Sequence, residues 1–262
     1  TAYEIPKRDW SSDVCSSDLA DPTWMQALAA EMKHAETAFV WFTGEHHELR
    51  WFTPTAEVDL CGHATLAAAH VLWDLDLHSK WQPIRFHTRS GILAARLEGE
   101  QIILDFPSEP PVEADLPASL RQRSFEWFGQ NRLDWIGLLP TEADVVDFQP
   151  DMAAIEAAGK RGLIITAKAQ RADADFVSRF FAPQVGVPED PVTGSAHCCL
   201  APFWSNRLNE LSLVGYQASE RGGHVGVRYL GERVELIGRA VTVLDGTDRK
   251  STRLNSSHVS ES

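Results

Sequence analysis

The sequence has few cysteines and no long hydrophobic run, and both absences exclude classes of protein. No apolar stretch approaches the roughly 18 residues that a membrane-spanning helix needs, and no signal peptide is recognisable. The four cysteines are Cys15, Cys61, Cys198 and Cys199. Their spacing matches neither a zinc-binding pattern nor the framework of a disulfide-rich secreted protein. A cytoplasmic protein that makes no membrane contact is therefore predicted.

Positive charge is also scarce. The chain has 24 Lys and Arg residues against 37 Asp and Glu residues, which gives a formal net charge of -13. Binding to nucleic acid or to an anionic membrane needs clustered Lys and Arg side chains, so neither partner is expected. No Gly-rich phosphate loop leads from a predicted strand into a helix, and no cofactor is predicted. By contrast, 44% of the residues are hydrophobic, which is ample for well-packed cores.

The most informative feature is an internal repeat. The segment RWFTP at residues 50–54 recurs as RFFAP at residues 179–183, and an acidic loop follows each copy. After each loop, a Gly-x-Ala sequence begins an apolar helix, at Gly62 in the first half and at Gly194 in the second. The offset of about half the chain indicates a duplicated domain and not a short solenoid repeat. Two lobes that each direct a helix N-terminus at one place suggest a single shared site.

Hydrophobic periodicity predicts a similar order of elements in both halves. Helices are predicted at residues 22–34, 62–73, 152–158 and 193–208. Strands are predicted at residues 36–42, 48–53, 84–88, 92–97, 102–106, 135–139, 162–167, 177–181, near 217, 225–229, 234–237 and 240–244. Lobe one is assigned to residues 20–108, the linker to residues 109–131, and lobe two to residues 132–247.

The two ends of the chain do not fit this pattern. Residues 1–19 and 248–262 contain Ser-rich stretches without helical or strand periodicity, and they resemble translated sequencing adapters more than protein segments. The alternative is that they are natural disordered ends. Lobe two has a predicted strand before its first helix, and the suspect N-terminal segment occupies the equivalent place in lobe one. The first strand of lobe one is therefore expected to be missing or replaced.

Glu36 and the pair Gly62-His63 suggest chemistry from the residues alone. Glu36 lies at a helix-to-strand junction beside aromatic residues, where desolvation can raise a carboxyl pKa and suit it to acid–base catalysis. The alternative is a surface Glu at a strand start. Gly62 and His63 begin a helix, whose free N–H groups and positive dipole end favour an anion and a neutral imidazole. The alternative for His63 is a capping role inside a packed turn.

The matching helix entry in the second half contains Asp190, Thr193, Gly194 and Ser195. Polar side chains and free N–H groups at this place suit a polar substrate group. A plain N-cap explains the same Asp, Thr and Ser residues, and this alternative is strongest for Thr193.

These motifs resemble those of the PhzF, or phenazine-biosynthesis-like, family. The resemblance rests on AETAF at residues 35–39, RWFTP at 50–54, DLCGHATLA at 59–67 and EDPVTGSA at 189–196, and it covers about residues 19–246. It implies an α+β fold of the diaminopimelate-epimerase type, usually in a homodimer. Each of its two pseudo-symmetric lobes is a curled, mostly antiparallel sheet around a central helix. The family's Gly-Asn-Pro loop and usual first strand are not found in this sequence.

The resemblance also implies an activity and an active site in the cleft between the lobes. The expected protein is a cofactor-independent isomerase that moves a proton between carbon atoms of a small anionic substrate, such as a cyclic amino or hydroxy acid. Glu36 matches the family's acid–base glutamate, with His63 and Asp190 assisting. The substrate-binding residues are expected to be Gly62, Gly194 and Ser195.

Two other functions remain open at this point. In related epimerases and racemases, each lobe supplies one Cys of a two-base pair, and Cys61 lies at the helix entry of lobe one. Lobe two offers Asp190 and Pro191 there, while Cys198 and Cys199 lie a full turn into the helix and are expected to pack in the core. The second alternative is a non-catalytic protein that binds a small molecule on the same scaffold.

The remaining histidines predict no metal site. His46 and His47 lie in a polar turn and are expected to be solvated, and His70 and His197 lie in helices without ligand-spaced partners. The Gly pair within residues 217–223 predicts a tight hairpin, although the same loop would also allow Arg221 to approach an anion.

Overall fold

The computed structural model describes residues 2–4, 21–122 and 124–244. The two segments that the sequence marks as suspect lie outside these ranges, apart from residues 2–4, and so do residues 245–247 of predicted lobe two. In the described ranges, no helix combines the length and the hydropathy needed to cross a membrane.

The described residues form five α-helices and one continuous sheet of 15 strands. The helices are α1 (Pro22–Met32), α2 (Gly62–Asp74), α3 (Glu142–Val146), α4 (Met152–Ala157) and α5 (Gly194–Leu208). The first seven strands are β1 (Ala2–Glu4), β2 (Thr37–Phe42), β3 (His47–Phe52), β4 (Glu57–Val58), β5 (Ile84–Thr88), β6 (Gly91–Glu98) and β7 (Gln101–Pro107). The other eight are β8 (Val112–Glu113), β9 (Trp127–Gln130), β10 (Trp135–Leu138), β11 (Leu163–Lys168), β12 (Phe176–Phe181), β13 (Ser212–Gln217), β14 (Gly223–Tyr229) and β15 (Arg233–Gly238).

The strand order repeats the duplication seen in the sequence. In lobe one the order is β1-β2-β3-β5-β6-β7, and in lobe two it is β10-β11-β12-β13-β14-β15. Both series have the same directions: a parallel pair, an antiparallel pair, a parallel pair and two antiparallel pairs. Parallel neighbours need a crossover, which α1 and α2 supply in lobe one and α4 and α5 in lobe two. The antiparallel pair β7–β15 joins the two series into one sheet.

Two strand predictions were wrong. Lobe one has its first strand, because β1 pairs in parallel with residues 38–40 of β2, as β10 pairs with β11. Its three residues lie within the suspect segment and are too few to show a periodicity. Residues 240–244 form no strand, although they contain alternating valines. Val241 and Val243 are 79% and 85% exposed, so no sheet partner buries them in the structure.

Residues 109–131, predicted as a linker, contain regular structure that belongs to the sheet of lobe two. They include β8, a short 3-10 helix at Ala118–Leu120, and β9. Strand β9 pairs with β10, and β8 pairs with β9 at the edge of the sheet. With two residues, β8 is too short to be recognised from a hydrophobic pattern.

The largest of three hydrophobic clusters contains residues of both lobes and surrounds the helices α2 and α5. In α5, every residue from Gly194 to Ser205 is buried, so this helix lacks an exposed polar face over that length. Trp73 at the end of α2 and Trp204 in α5 both belong to this core. The two helices are therefore fixed rigidly, and each begins at the same place between the lobes.

Candidate active site

The N-termini of α2 and α5 meet at two glycines. A Cβ atom added to Gly62 would lie 2.6 Å from the Cα of Gly194, and a Cβ added to Gly194 would lie 2.6 Å from the Cα of Gly62. Neither position therefore accommodates a side chain without moving a helix. The sequence assigned these glycines to substrate binding, and the structure adds a packing reason for them. Both free helix N-termini face the same space.

A cleft of about 400 Å³, counting its open mouth, lies at this meeting point. All six residues predicted for the site line it, together with nine others, of which Cys61, Arg161 and Thr193 are described below. The six are Glu36, Gly62, His63, Asp190, Gly194 and Ser195. Lobe one contributes the first three and lobe two the last three, so the cleft is formed by both lobes.

Glu36 and His63 form the pair at the lobe-one side of the cleft. Glu36 immediately precedes β2, His63 is the second residue of α2, and His63 Nε2 lies 3.2 Å from Glu36 Oε2. The Glu36 side chain is only 13% exposed. Burial by itself lowers the pKa of His63, but the adjacent Cys61 sulfur and the Glu36 carboxylate raise it well above its ordinary value.

The prediction of a neutral His63 considered only one of the influences on its pKa. It rested on the positive end of α2, whose partial charge disfavours an imidazolium. The neighbouring Cys61 sulfur and the Glu36 carboxyl 3.2 Å away act in the opposite direction and raise the pKa of the ring.

Asp190 is the buried carboxyl at the lobe-two side. Its Oδ2 accepts a hydrogen bond of 2.6 Å from the Thr193 hydroxyl, and Gln217 Nε2 donates to its carbonyl oxygen at 2.6 Å. Burial and the negative charge of Glu36 raise the pKa of Asp190, while His63 and the Thr193 hydrogen bond act in the opposite direction. Asp190 Oδ1 and Glu36 Oε2 are both buried, and neither has a partner of hydrogen-bond geometry among the described residues.

Arg161 is the cleft residue that the sequence analysis missed. It lies between α4 and β11, and its guanidinium donates to Ser195 Oγ at 2.9 Å and to Asp134 Oδ1 at 2.9 Å. The internal repeat, combined with the strand register, indicates the position of Arg161. Thr37 pairs with Phe52 as Leu163 pairs with Phe181, so Gly162 occupies in lobe two the place of Glu36 in lobe one. Arg161 is the residue before it, and it brings a fixed positive charge to the opposite side of the cleft.

Cys61 is buried beside the Glu36–His63 pair. Its sulfur lies 3.8 Å from His63 Nδ1 and 3.9 Å from His63 Nε2, and burial, followed by the charge of Glu36, raises the pKa of its thiol. One ligand atom each from Glu36, Cys61 and His63 lies within 4.8 Å of the others, a set that suits a metal ion once the thiol loses its proton.

The equivalent position in lobe two holds no second thiol. Cys61 is the N-cap of α2, and the N-cap of α5 is Thr193. Cys198 and Cys199 are buried within α5, where burial raises the pKa of each thiol. Among the described residues, an opposed pair of thiols is therefore not formed.

The other sequence predictions have mixed outcomes. His47 is not solvated but buried in β3, where burial and its neighbours His78 and His46 lower its pKa to about 4. His197 is also buried, bonds the Thr193 carbonyl at 2.8 Å, and has a pKa lowered by burial to about 4. The tight hairpin is confirmed, because Gln217 pairs with Gly223, and Arg221 is exposed at its tip.

Comparison with known proteins agrees with this geometry. The chain matches the PhzC-PhzF family, described as "Phenazine biosynthesis-like protein", at residues 13–123 and 125–246. It is 48% identical over 228 residues, 86% of each chain, to a Halalkalibacterium halodurans protein named an uncharacterized isomerase. A crystal structure of a phenazine biosynthesis PhzC/PhzF protein from Clostridium difficile superposes with a TM-score of 0.79 at 39% identity, covering 88% of this chain and 90% of that one.

A more distant structure defines the wider fold. A hydroxyproline epimerase from Agrobacterium vitis superposes with a TM-score of 0.57 at 10% identity, covering 84% of this chain and 79% of that one. At this identity only the architecture is shared. The α+β fold with two pseudo-symmetric lobes is thus that of the diaminopimelate-epimerase-like proteins.

Proposed function

Because this chain belongs to the phenazine biosynthesis-like (PhzC-PhzF) family and is an isomerase, we propose that it moves a proton between carbon atoms of a small anionic substrate without a cofactor. The observation that carries the proposal is the pair of carboxyls, Glu36 and Asp190, on opposite sides of one cleft. Each has a buried oxygen that makes no hydrogen bond of normal geometry with the described residues, although Glu36 Oε2 lies 3.2 Å from His63 Nε2. Each oxygen is therefore suited to accept or donate a proton on a molecule in the cleft.

The rest of the cleft suits an anion. The N-termini of α2 and α5 offer free N–H groups and positive dipole ends at the same point. Arg161 adds a guanidinium that pairs with the buried Asp134, and its hydrogen bond to Ser195 fixes the hydroxyl at the start of α5. A carboxylate of the substrate held there would lie in the same cleft as the two carboxyls. Small cyclic amino acids and hydroxy acids are the substrate class we propose.

In the proposed reaction, Glu36 is the acid–base group. As a carboxylate it takes a proton from one carbon, and as a carboxylic acid it returns the proton to another carbon of the same molecule. The His63 imidazolium stabilises the carboxylate between these steps. Asp190, whose raised pKa favours its protonated form, orients the substrate or donates a hydrogen bond to it. A positioned acid–base group of this kind typically contributes a factor of about 10²–10⁴ in rate.

Deuterium wash-in tests the proposal directly. The protein is incubated in D₂O with a panel of small cyclic amino and hydroxy acids, and mass spectrometry follows carbon-bound deuterium. We expect label with the wild type and a loss of at least about 100-fold in Glu36→Gln. Glu45→Gln, at an exposed position outside the cleft, is the matched control. Equal labelling by wild type and Glu36→Gln would contradict the role of Glu36. Ligand binding without label, in folded protein, would support a non-catalytic binding protein.

The two-base alternative has one observation in its favour, the position of Cys61 beside His63. If Cys61 were one of two catalytic bases, Cys61→Ser would abolish labelling. On our proposal Cys61 lines the pocket, and Cys61→Ser keeps most of the labelling rate. The absence of a thiol at Thr193 favours the second outcome.

A further inference from the structure

The sheet of lobe one carries a second group of ligating side chains, away from the cleft. His46, Glu48 and His87 each present one atom able to bind a metal ion, and these atoms lie within 4.8 Å of one another. His46 Nε2 lies 2.8 Å from Glu48 Oε1, and the rings of His46 and His87 stack with centroids 3.6 Å apart. We propose that His46, Glu48 and His87 together bind one divalent ion of the zinc class.

The sheet itself holds these residues together. Strands β3 and β5 are parallel, and Glu48 pairs with His87 in their register. Side chains alternate along a strand, so His46, two residues before Glu48, lies on the same face. The neighbours His47 and Phe86 point to the other face, where both are buried. Three ligating residues from a turn and two strands are therefore placed side by side by backbone pairing.

The ligand set and its spacing suit zinc. Imidazole nitrogen and carboxylate oxygen bind Zn²⁺ at about 2.0–2.2 Å, so two ligands of one tetrahedral ion lie about 3.4 Å apart. The contact of 2.8 Å between His46 and Glu48 must open slightly, and the wider separations within 4.8 Å must close by about an ångström. Side-chain rotations at a partly exposed site allow such changes. Ni²⁺ and Cu²⁺ accept the same ligands, whereas Mg²⁺ and Ca²⁺ prefer sites made of oxygen alone.

The site is open to an incoming ion. The side chains of His46 and Glu48 are 28% and 33% exposed, and the net charge of -13 attracts cations at long range. A simpler explanation is that the three residues form only an ion pair and a ring stack. His224 and Asp173, 2.9 Å apart, form a comparable pair without a metal-binding third residue, because the other partner of Asp173 is Arg171.

Zinc titration of the tag-free protein by calorimetry, with native mass spectrometry for the stoichiometry, separates these explanations. We expect one Zn²⁺ to bind wild type and His224→Gln equally, and His87→Gln and Glu48→Gln to weaken this binding at least tenfold, since removing even a supporting residue costs about 10–100-fold. Cys61→Ser distinguishes this site from the Glu36, Cys61 and His63 group in the cleft, and should bind zinc as the wild type does. His87→Gln changes β5 and Glu48→Gln changes β3. If one of these variants misfolds, zinc binding by the other still tests the proposal.

Three results would overturn the proposal: no zinc binding by the wild type, unchanged binding in folded His87→Gln and Glu48→Gln, or binding lost in Cys61→Ser alone. The last result would place the ion in the cleft. Nickel ions in place of zinc should give the same ranking of variants, because the ligand set is the same.

Discussion

At the scale of single residues, the charge state of His63 decides how the cleft works. The Cys61 sulfur and the Glu36 carboxyl, 3.2 Å from the ring, raise its pKa, and in the proposed reaction the imidazolium stabilises Glu36 as a carboxylate. The same interaction has a thermodynamic consequence that can be measured without knowing the substrate, because a pKa that differs between folded and unfolded chains makes stability depend on pH.

We predict that the contribution of His63 to stability falls as the pH rises. The pKa of His63 is raised in the folded state from 6.5, so its stabilising effect is fully present below about pH 6.5 and is lost as pH rises through the folded value. Urea unfolding of wild type and His63→Gln from about pH 6 upward should show the difference in unfolding free energy shrinking. His70→Gln, which removes a ring bonded to Thr242 outside the cleft, is the control. A difference that is constant or grows with pH would contradict an imidazolium in the folded protein.

The residues of the cleft were predictable to different extents. Glu36, His63, Asp190 and Ser195 stand in motifs at helix and strand ends, and the family resemblance of these motifs predicted that they share a site. Arg161 was not predictable from a motif, because only strand register shows that it lies beside the place equivalent to Glu36. The charge of His63 depends on a distance across the fold, which no local pattern contains.

At the scale of elements, the contact between α2 and α5 is the tightest constraint on the cleft. We predict that Gly62→Ala lowers the free energy of unfolding by about 3 kcal/mol or more, at the upper end of overpacking costs, because the added Cβ meets the backbone of Gly194, which cannot rotate away. Chemical denaturation measures this change. Gly231→Ala is the comparison, because its φ of +83° costs about 1–2 kcal/mol but nothing lies within 4 Å of the added atom. Equal losses in the two variants would mean that the helices adjust to the added atom.

Helices and strands long enough to show a complete hydrophobic period were predictable from the sequence, and very short strands were not. The four predicted helices and the longer strands appear within one to two residues of the expected bounds at most ends. By contrast, β1, β4 and β8 have two or three residues, which cannot display alternation. Residues 240–244 were predicted as a strand but do not form one. Their valines alternate as in a strand, but a strand also needs a neighbour in the sheet, and none pairs with them in the described chain.

At the scale of the whole molecule, the sheet and the core both cross the boundary between the lobes. Strands β7 and β15 pair along six residues, and the core that contains Trp73 also contains Trp204. We predict that both lobes unfold in one transition, with equal calorimetric and van't Hoff enthalpies in scanning calorimetry. Two resolved peaks would contradict this coupling. Measuring at two protein concentrations also tests the homodimer, which we propose from the family resemblance, since dimer dissociation makes the midpoint depend on concentration.

The difference between Glu36 and Gly162 at equivalent places has a consequence for how such a site can arise. Two identical copies of one lobe would be obliged to present the same side chain on both walls, so two carboxylates or two guanidiniums would face each other. When both lobes belong to one chain, their sequences can differ, and the two walls can carry different side chains. One wall then carries Glu36 and His63, and the other carries Asp190 and Arg161. On the proposed function, this difference between the lobes would let a nearly symmetric scaffold distinguish the two faces of a small molecule.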